Sequence, residues 1–299
     1  MTLQHYIVSS DISCEKANCK NIHVKHDQVQ QQKKRSFFEE IFTYENLKST
    51  YEFEKQRRPT PGIDHQTAYH FSKNVEKNIH DLLKSIHHNN YHHQPYLCID
   101  SKQKKKPIFI TSFRDRIVQK ILVKKLSYKW EKIFSKSSYA FRPGISHQQA
   151  QKKVLQMCQT NPYIAIIDIK RFFESISHEK LKQKLNRNLK CSRTVNLIMH
   201  IVQQDENCGK GLVRGAIISP LLSNFYMNDF DWQISQSGSL IRYCDDMAIL
   251  GRDKRHLKAQ IKRSKMLLKN ESLKINWWKK QISRYDKGFK FLGTYFKKV

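Results

Sequence analysis

No apolar run in the 299-residue chain approaches the 18 residues that a membrane-spanning helix requires, so no such helix is predicted and no membrane partner is expected. The opening, MTLQHYIVSSDISCEK, lacks the basic start and long apolar stretch of a secretory leader. Cysteines number seven, an odd count in a chain this long, which argues against a disulfide framework and for the reducing cytoplasm. There is no internal repeat and no long Gly/Ser linker, and the length suits one large domain or two modest ones. Negative charge is the scarcest commodity. Against 26 Asp and Glu stand 55 Lys and Arg, a net charge of +29. That excess points to a polyanionic partner, nucleic acid before an anionic membrane surface. The apolar fraction of 39% is low but sufficient for a core.

What is present reads as a mixture of helices and strands. Residues 1–50 are polar and mixed, and Pro59, Pro61 and Gly62 mark a loop before a helix. FSKNVEKNIHDLLKSI has helical spacing, and the His-rich HHNNYHHQPY follows it as a solvated loop. YLCID and PIFIT read as a hairpin with lysines at its tip. From Arg114 to Phe134 the pattern is helical. YIAIIDI, Tyr163 to Ile169, is a β-branched run of the kind buried on both faces. Ser177 is expected to cap one helix, and Ser219, with Pro220 at the first helical position, another. A helix with Leu257, Ile261 and Leu268 on one face and a last strand or hairpin, GFKFLGTYFKKV, complete the chain. The expected class is α+β, helices packing on one side of a small antiparallel sheet.

Three aspartates follow or interrupt these buried strands. Asp168 closes IAIIDI, while Asp245 and Asp246 occupy the turn of SLIRYCDDMAILG. Clustered carboxylates repel each other unless cations neutralise them. Oxygen ligands of this kind favour Mg²⁺ completed by substrate phosphates, and two ions about 3.5–4 Å apart serve an in-line displacement. Alone, an Asp-Asp pair in a turn is ordinary solvated turn chemistry. The apolar flanks and the third aspartate favour the metal reading.

The motifs around these aspartates resemble those of reverse transcriptases. YCDD is similar to the family's Tyr-x-Asp-Asp box, and IAIIDIKRFFESISHEKL to its first catalytic segment. RGAIISPLLSNFYMNDFD, SSYAFRPGISHQQA, RPTPGID, TSFRDRIVQKIL and KFLG fit the bacterial branch, in order, from about Arg58 to Gly293. The likeness is to group II intron and retron-type enzymes. It implies the fingers and palm of a right-hand polymerase: an N-terminal extension at 1–57, fingers with part of the palm at 58–160, and palm at 161–299.

The same resemblance implies roles. Asp168 and Asp245 would hold two Mg²⁺ ions (Mn²⁺ as substitute), with the backbone of Ile169 assisting at the metal and triphosphate site and Asp246 as third carboxylate. Phe173 would exclude a 2′-hydroxyl by steric clash; from the residues alone it reads equally as a core aromatic. Lys106, Arg114 and Arg116 would meet triphosphate or template phosphates; each reads otherwise as a solvated cation. Lys279 would stand near the departing pyrophosphate, as a general acid. Arg142, with Pro143 and Gly144, would shape a structural or template-contacting turn. Tyr243 would support the primer end, where the residue alone reads as half-buried packing. Trp277 and Trp278 read either as base-stacking rings or as sheet core.

The chain departs from the family at Arg214, which stands before Gly215 where a glutamine is usual, beside the incoming nucleotide. Ser219-Pro220 argues against the diversity-generating branch. Only six residues follow Gly293, so no thumb is visible: either the chain is truncated, or a partner protein, an oligomer or a structured RNA supplies the grip. Cys14, Cys19, His23 and His26 have a roughly zinc-like spacing, although the histidines are too close for a usual finger. The expected reaction is RNA-templated addition of dNTPs to a primer, giving DNA, with a noncoding RNA in a retron-like or antiphage-defence unit. The competing readings are template-independent or protein-primed synthesis, an RNA-making polymerase, and a non-catalytic RNA-binding scaffold.

Overall fold

Residues 35–99, 107–203, 209–237 and 239–298 are described by the structure, a computed structural model. Lys106 and the Cys14, Cys19, His23, His26 group lie outside the described residues. Helices α1 (Phe37–Ile41), α2 (Tyr44–Gln56), α3 (Ala68–Ser72) and α4 (Val75–His87) come first, followed by strands β1 (Leu97–Ile99) and β2 (Ile108–Ile110). Next are α5 (Phe113–Glu131), α6 (His147–Cys158), β3 (Tyr163–Asp168), α7 (Phe172–Ser175), α8 (His178–Leu189) and α9 (Ser192–Val202). The chain continues with α10 (Ser219–Ser235), β4 (Leu240–Tyr243), β5 (Asp246–Gly251) and α11 (Lys254–Asn270). A 3-10 turn (Trp277–Lys279), β6 (Gln281–Arg284), β7 (Phe289–Phe291) and β8 (Thr294–Phe296) end it.

The β-branched run of β3 lies between two partners in a four-stranded antiparallel sheet of order β4-β5-β3-β6. Alternation sends successive side chains to opposite faces. Ala165, Ile167, Met247, Ile249 and Leu240 enter the large core shared with α5, α10 and α11. Ile164, Ile241, Ala248 and Leu250 meet Ala150, Val154 and Cys158 of α6, together with Phe289 and Phe291 of the β7-β8 hairpin. The sheet is therefore covered on both faces, which corrects the expectation of helices on one side. The physical reason was present in the sequence: a strand apolar at both parities needs cover twice.

Helices α1 and α2 belong to the large core through Phe38, Ile41, Leu47 and Tyr51. Tyr51 and Phe71 each pack against Phe113 at the start of α5, and Trp130 near its end stacks on Phe225 of α10 with centroids 4.1 Å apart. The β1-β2 hairpin forms as expected, antiparallel from Leu97↔Ile110 to Ile99↔Ile108. Ser177 caps α8, its hydroxyl accepting from the Lys180 N–H. At α10 the cap falls on Ile218, without a side-chain hydrogen bond, so Ser219 and Pro220 both lie inside the first turn. Among the described residues, no helix is long and apolar enough to cross a membrane.

The His-rich tract is a loop after α4, with His88, Asn89, Asn90, His92, Gln94 and Pro95 exposed, but it is tied to the protein at several points. His87 ends α4 and meets the Phe42 carbonyl at 2.9 Å, His88 meets the Lys84 carbonyl at 2.8 Å, and His93 is buried beside Gln119.

Candidate active site

Strand register brings the aspartates together. Asp168, last in β3, lies directly opposite Asp246, first in β5, and Asp246 lies opposite Tyr243, last in β4. Tyr243, Asp246 and Asp168 thus form a row across three strands, on the face that carries Ile241, Ala248 and Ile164. The row extends a fourth place. Ile166 pairs with Gln281, and two residues beyond that pair Lys279 donates to Oδ2 of Asp168 at 2.7 Å. Asn276 donates to Oδ1 of the same carboxylate at 3.1 Å, and its N–H to the Asp168 carbonyl at 2.8 Å. Asp168 is buried, while the Lys279 side chain is largely exposed.

Asp245 occupies the two-residue turn, and its carbonyl accepts from the Ile169 N–H at 3.2 Å. That bond takes the N–H of Ile169 and leaves its carbonyl as the group available to a cation. Burial, with Asp245 and Asp168 alongside, pushes the Asp246 carboxyl up to about 6, against a smaller opposing pull from Lys279. The hydrogen bond to Asp168 holds the Lys279 ammonium above its usual range. Among the described residues no three His, Cys, Asp or Glu side chains close around one point. The donor set is an open one of carboxylates and a carbonyl, the kind that leaves coordination places to water and phosphate.

The turn is itself constrained. Cys244 takes φ 59°, a left-handed conformation that a non-glycine residue adopts only where the surroundings impose it. Arg242 supplies the restraint. Fully buried, it donates to both carboxylate oxygens of Asp231 (2.7 and 2.5 Å), to Asn224 Oδ1 (3.2 Å), to Ser138 Oγ (2.9 Å) and to the Cys244 carbonyl (3.0 Å). One guanidinium therefore ties α10, the 138–140 segment and the aspartate turn together. Sequence reasoning passed over Arg242, Asn224 and Asp231; the signal available was an arginine and an aspartate inside otherwise apolar elements.

The remaining candidates are placed as follows. Phe173 is half-buried against the core, edge-on to the buried Phe172 with centroids 5.6 Å apart. Arg214 forms an ion pair with Glu174, the residue after Phe173, at 2.9 Å, so the arginine in the glutamine position has acquired a carboxylate partner. Gly215 has φ 95°, and a Cβ there would come 2.5 Å from the Phe109 carbonyl oxygen; only glycine lets β2 approach this loop. Arg116 donates to the carbonyls of Thr60 (2.9 Å) and Thr111 (3.3 Å), and Arg114 to that of His92 (2.6 Å). Arg142 binds Glu131 through Nε (3.1 Å) and Nη2 (2.5 Å) and the carbonyls of Ser135 and Ser138 through Nη1 (both 2.8 Å). Its fork is occupied by the protein, so the geometry builds the structural alternative for this turn and leaves little of it for a template phosphate. Trp277 and Trp278 are 47% and 99% exposed, which removes the sheet-core alternative.

A family model described as reverse transcriptase (RNA-dependent DNA polymerase) matches residues 92–296. Protein YkfC of Escherichia coli (strain K12) is 25% identical over 288 residues, covering 78% of this chain and 75% of its own length. Group II intron-encoded protein LtrA of Lactococcus lactis subsp. cremoris is 28% identical over 199 residues, covering 63% of this chain but only 32% of LtrA. Among solved structures, a partial Cas6-RT-Cas1–Cas2 complex overlays with a TM-score of 0.49 at 17% identity, over 80% of this chain and 43% of that one.

Proposed function

Because the chain belongs to the reverse transcriptase family, the RNA-dependent DNA polymerases, we propose that it adds deoxynucleotides to a primer 3′ end on an RNA template at the Asp168, Asp245, Asp246 centre. The observation that supports this most strongly is the register that sets Asp168 opposite Asp246, with Asp245 in the adjoining turn. Three acidic groups are brought together there, and burial first, then the charges of Asp245 and Asp168, raise the Asp246 carboxyl. Such a cluster suits divalent cations. Asp168 and Asp245, with the Ile169 carbonyl, are the groups that would hold Mg²⁺, or Mn²⁺ in its place. When bound, two such ions activate the attacking 3′-hydroxyl and stabilise the leaving oxygen.

The protein's own groups do the rest. Phe173 fills the space that a 2′-hydroxyl would need. The Arg214–Glu174 pair fixes the loop carrying Gly215 beside the incoming base, and Tyr243, next in the row to Asp246, supports the primer end. Lys279 holds its proton at Asp168 until phosphate oxygens draw it away, then delivers it to the departing pyrophosphate. Excess positive charge, +29 over the chain, retains the RNA and DNA strands. The resemblance to retron-type motifs extends the reading to a structured noncoding RNA as template.

Primer extension on a defined RNA template with labelled dNTPs and Mg²⁺ tests this. Template-complementary DNA is expected. Untemplated product, or product covalently attached to protein, would replace the reading with one of its rivals, and RNA binding without synthesis would leave a scaffold.

A further inference from the structure

Asp115 and Gln119 stand one turn apart on α5, so their side chains share a face. Both are fully buried. Asp115 accepts hydrogen bonds from the Tyr91 hydroxyl (2.7 Å), the Gln94 N–H (2.8 Å) and the Ser112 hydroxyl (2.7 Å), and so anchors the tract that follows α4. That tract brings the buried His93 to both residues. Its Nδ1 lies 3.9 Å from Asp115 Oδ2, and its Nε2 lies 2.8 Å from Gln119 Nε2. On its other side the Gln119 amide meets the loop that precedes α10, where its Oε1 accepts from the Ile218 N–H at 3.2 Å.

The direction of this amide follows from its partners. A backbone N–H can only donate, so Oε1 of Gln119 must face Ile218 and the NH2 group must face the other way. There its two hydrogens have two acceptors, Nε2 of His93 and the Tyr96 hydroxyl at 3.2 Å. His93 Nε2 therefore carries no proton, which fixes a neutral ring with its proton on Nδ1, the side of Asp115. An Nε2–H would set donor against donor. The amide would then turn over and point its NH2 group at the Ile218 N–H, leaving a buried donor unpaired. His93 thus restrains Gln119, and Gln119 restrains Ile218. Ile218 is the N-cap of α10, yet no side-chain hydrogen bond of its own caps that helix. The loop's ties to α7 lie further back, at the Leu212 N–H to the Phe173 carbonyl (2.8 Å) and at the Arg214–Glu174 pair.

We propose that Gln119 is a positioning residue for nucleotide selection, holding the loop of Arg214 and Gly215 through the Ile218 N–H in the direction that His93 imposes. The inference rests on the reading that this loop lies beside the incoming base. Gln119 acts through the loop, from the buried face of α5. A loosened loop weakens the hold on the nucleotide and leaves the reacting groups around Asp168 where they are, so the loss falls on KM and spares kcat.

The test is steady-state nucleotide incorporation on primed RNA by the full chain. Gln119→Met keeps the length of the side chain and removes both polar atoms. Gln119→Glu keeps an acceptor for the Ile218 N–H and turns its other oxygen to an Nε2–H of His93. Gln119→Met should raise the dNTP KM about fivefold or more, with kcat and RNA affinity within about twofold of wild type. Gln119→Glu should bring KM back to within about twofold. An unchanged KM in Gln119→Met, or a KM in Gln119→Glu as high as in Gln119→Met with RNA affinity intact, would overturn the role. NMR of the histidine-labelled wild type, with His93 assigned by its loss in His93→Phe, decides the matter even if the Gln119 variants fail to fold. An unprotonated Nε2 is expected, and a protonated one would overturn the proposal. Arg214→Ala separates the two readings. If it raises the dNTP KM and Gln119→Met does not, the positioning role fails alone. If neither raises KM while Nε2 of His93 is unprotonated, the placement of the loop beside the incoming base fails and takes nucleotide selection with it.

Discussion

The ammonium of Lys279 donates to Oδ2 of Asp168 at 2.7 Å and neutralises that carboxylate. If Asp168 holds a cation, as proposed, lysine and cation compete for that oxygen. Replacing Lys279 with Met should lower the maximal extension rate by about 10²-fold, the lower end of what a positioned proton donor contributes. It should also lower the Mg²⁺ concentration for half-maximal rate. A magnesium titration of primer extension checks both, and an unchanged maximal rate would remove Lys279 from the chemistry.

Arg242 and Asp231 are both fully buried. Breaking such a pair from one side strands a charge, at a cost of about 3–5 kcal/mol. Arg242→Leu should destabilise by that amount in urea unfolding, and adding Asp231→Leu should recover most of it. Extension activity should not return with stability, because the tether to the Cys244 carbonyl is still missing. Activity restored in the double variant would show that Arg242 serves folding only.

If Phe173 excludes the 2′-hydroxyl, Phe173→Ala should relax sugar choice. The ratio of kcat/KM for dNTP over rNTP should fall by an order of magnitude or more, with RNA binding unaltered. A preserved ratio would return Phe173 to the half-buried packing role that its contacts with Phe172 also allow.

The Asp246 carboxyl titrates near 6 in the folded protein against 3.8 as its ordinary value. Between those values the folded state binds more protons than the unfolded chain, so stability should fall as pH rises from about 4 to about 6. Metal-free protein should show this slope in thermal unfolding, and Asp246→Asn should flatten it. A wild-type slope of the opposite sign in that window, or one unaffected by Asp246→Asn, would contradict an origin in this carboxyl.

Much of this arrangement was legible in the sequence, for identifiable reasons. The β-branched run before Asp168 reads as a strand buried on both faces, and the two apolar runs flanking Cys244-Asp245 read as a hairpin. Their mutual register was not readable, because it depends on the non-local pairing of β3 with β5 and β6. That pairing is what places Lys279 and Asn276 on Asp168. Arg242 escaped notice because a charged residue in a strand reads as solvent-facing until its partner is found, here in α10. For Arg116, read as a phosphate ligand or a solvated cation, and Arg142, read as shaping a structural or template-contacting turn, nothing in the sequence marked the backbone carbonyls and Glu131 that engage them. The α10 cap slipped by one residue, within the ordinary fraying of helix ends.

The most direct measurement compares wild type with Asp245→Asn in a single assay of RNA-templated extension, with RNA affinity measured on the same preparations. The variant should bind RNA within about twofold of wild type and lose DNA synthesis by about 10³-fold or more, the order expected when a metal-holding carboxylate in the reacting centre is neutralised. Synthesis at the wild-type rate by Asp245→Asn would remove the aspartate row from the chemistry.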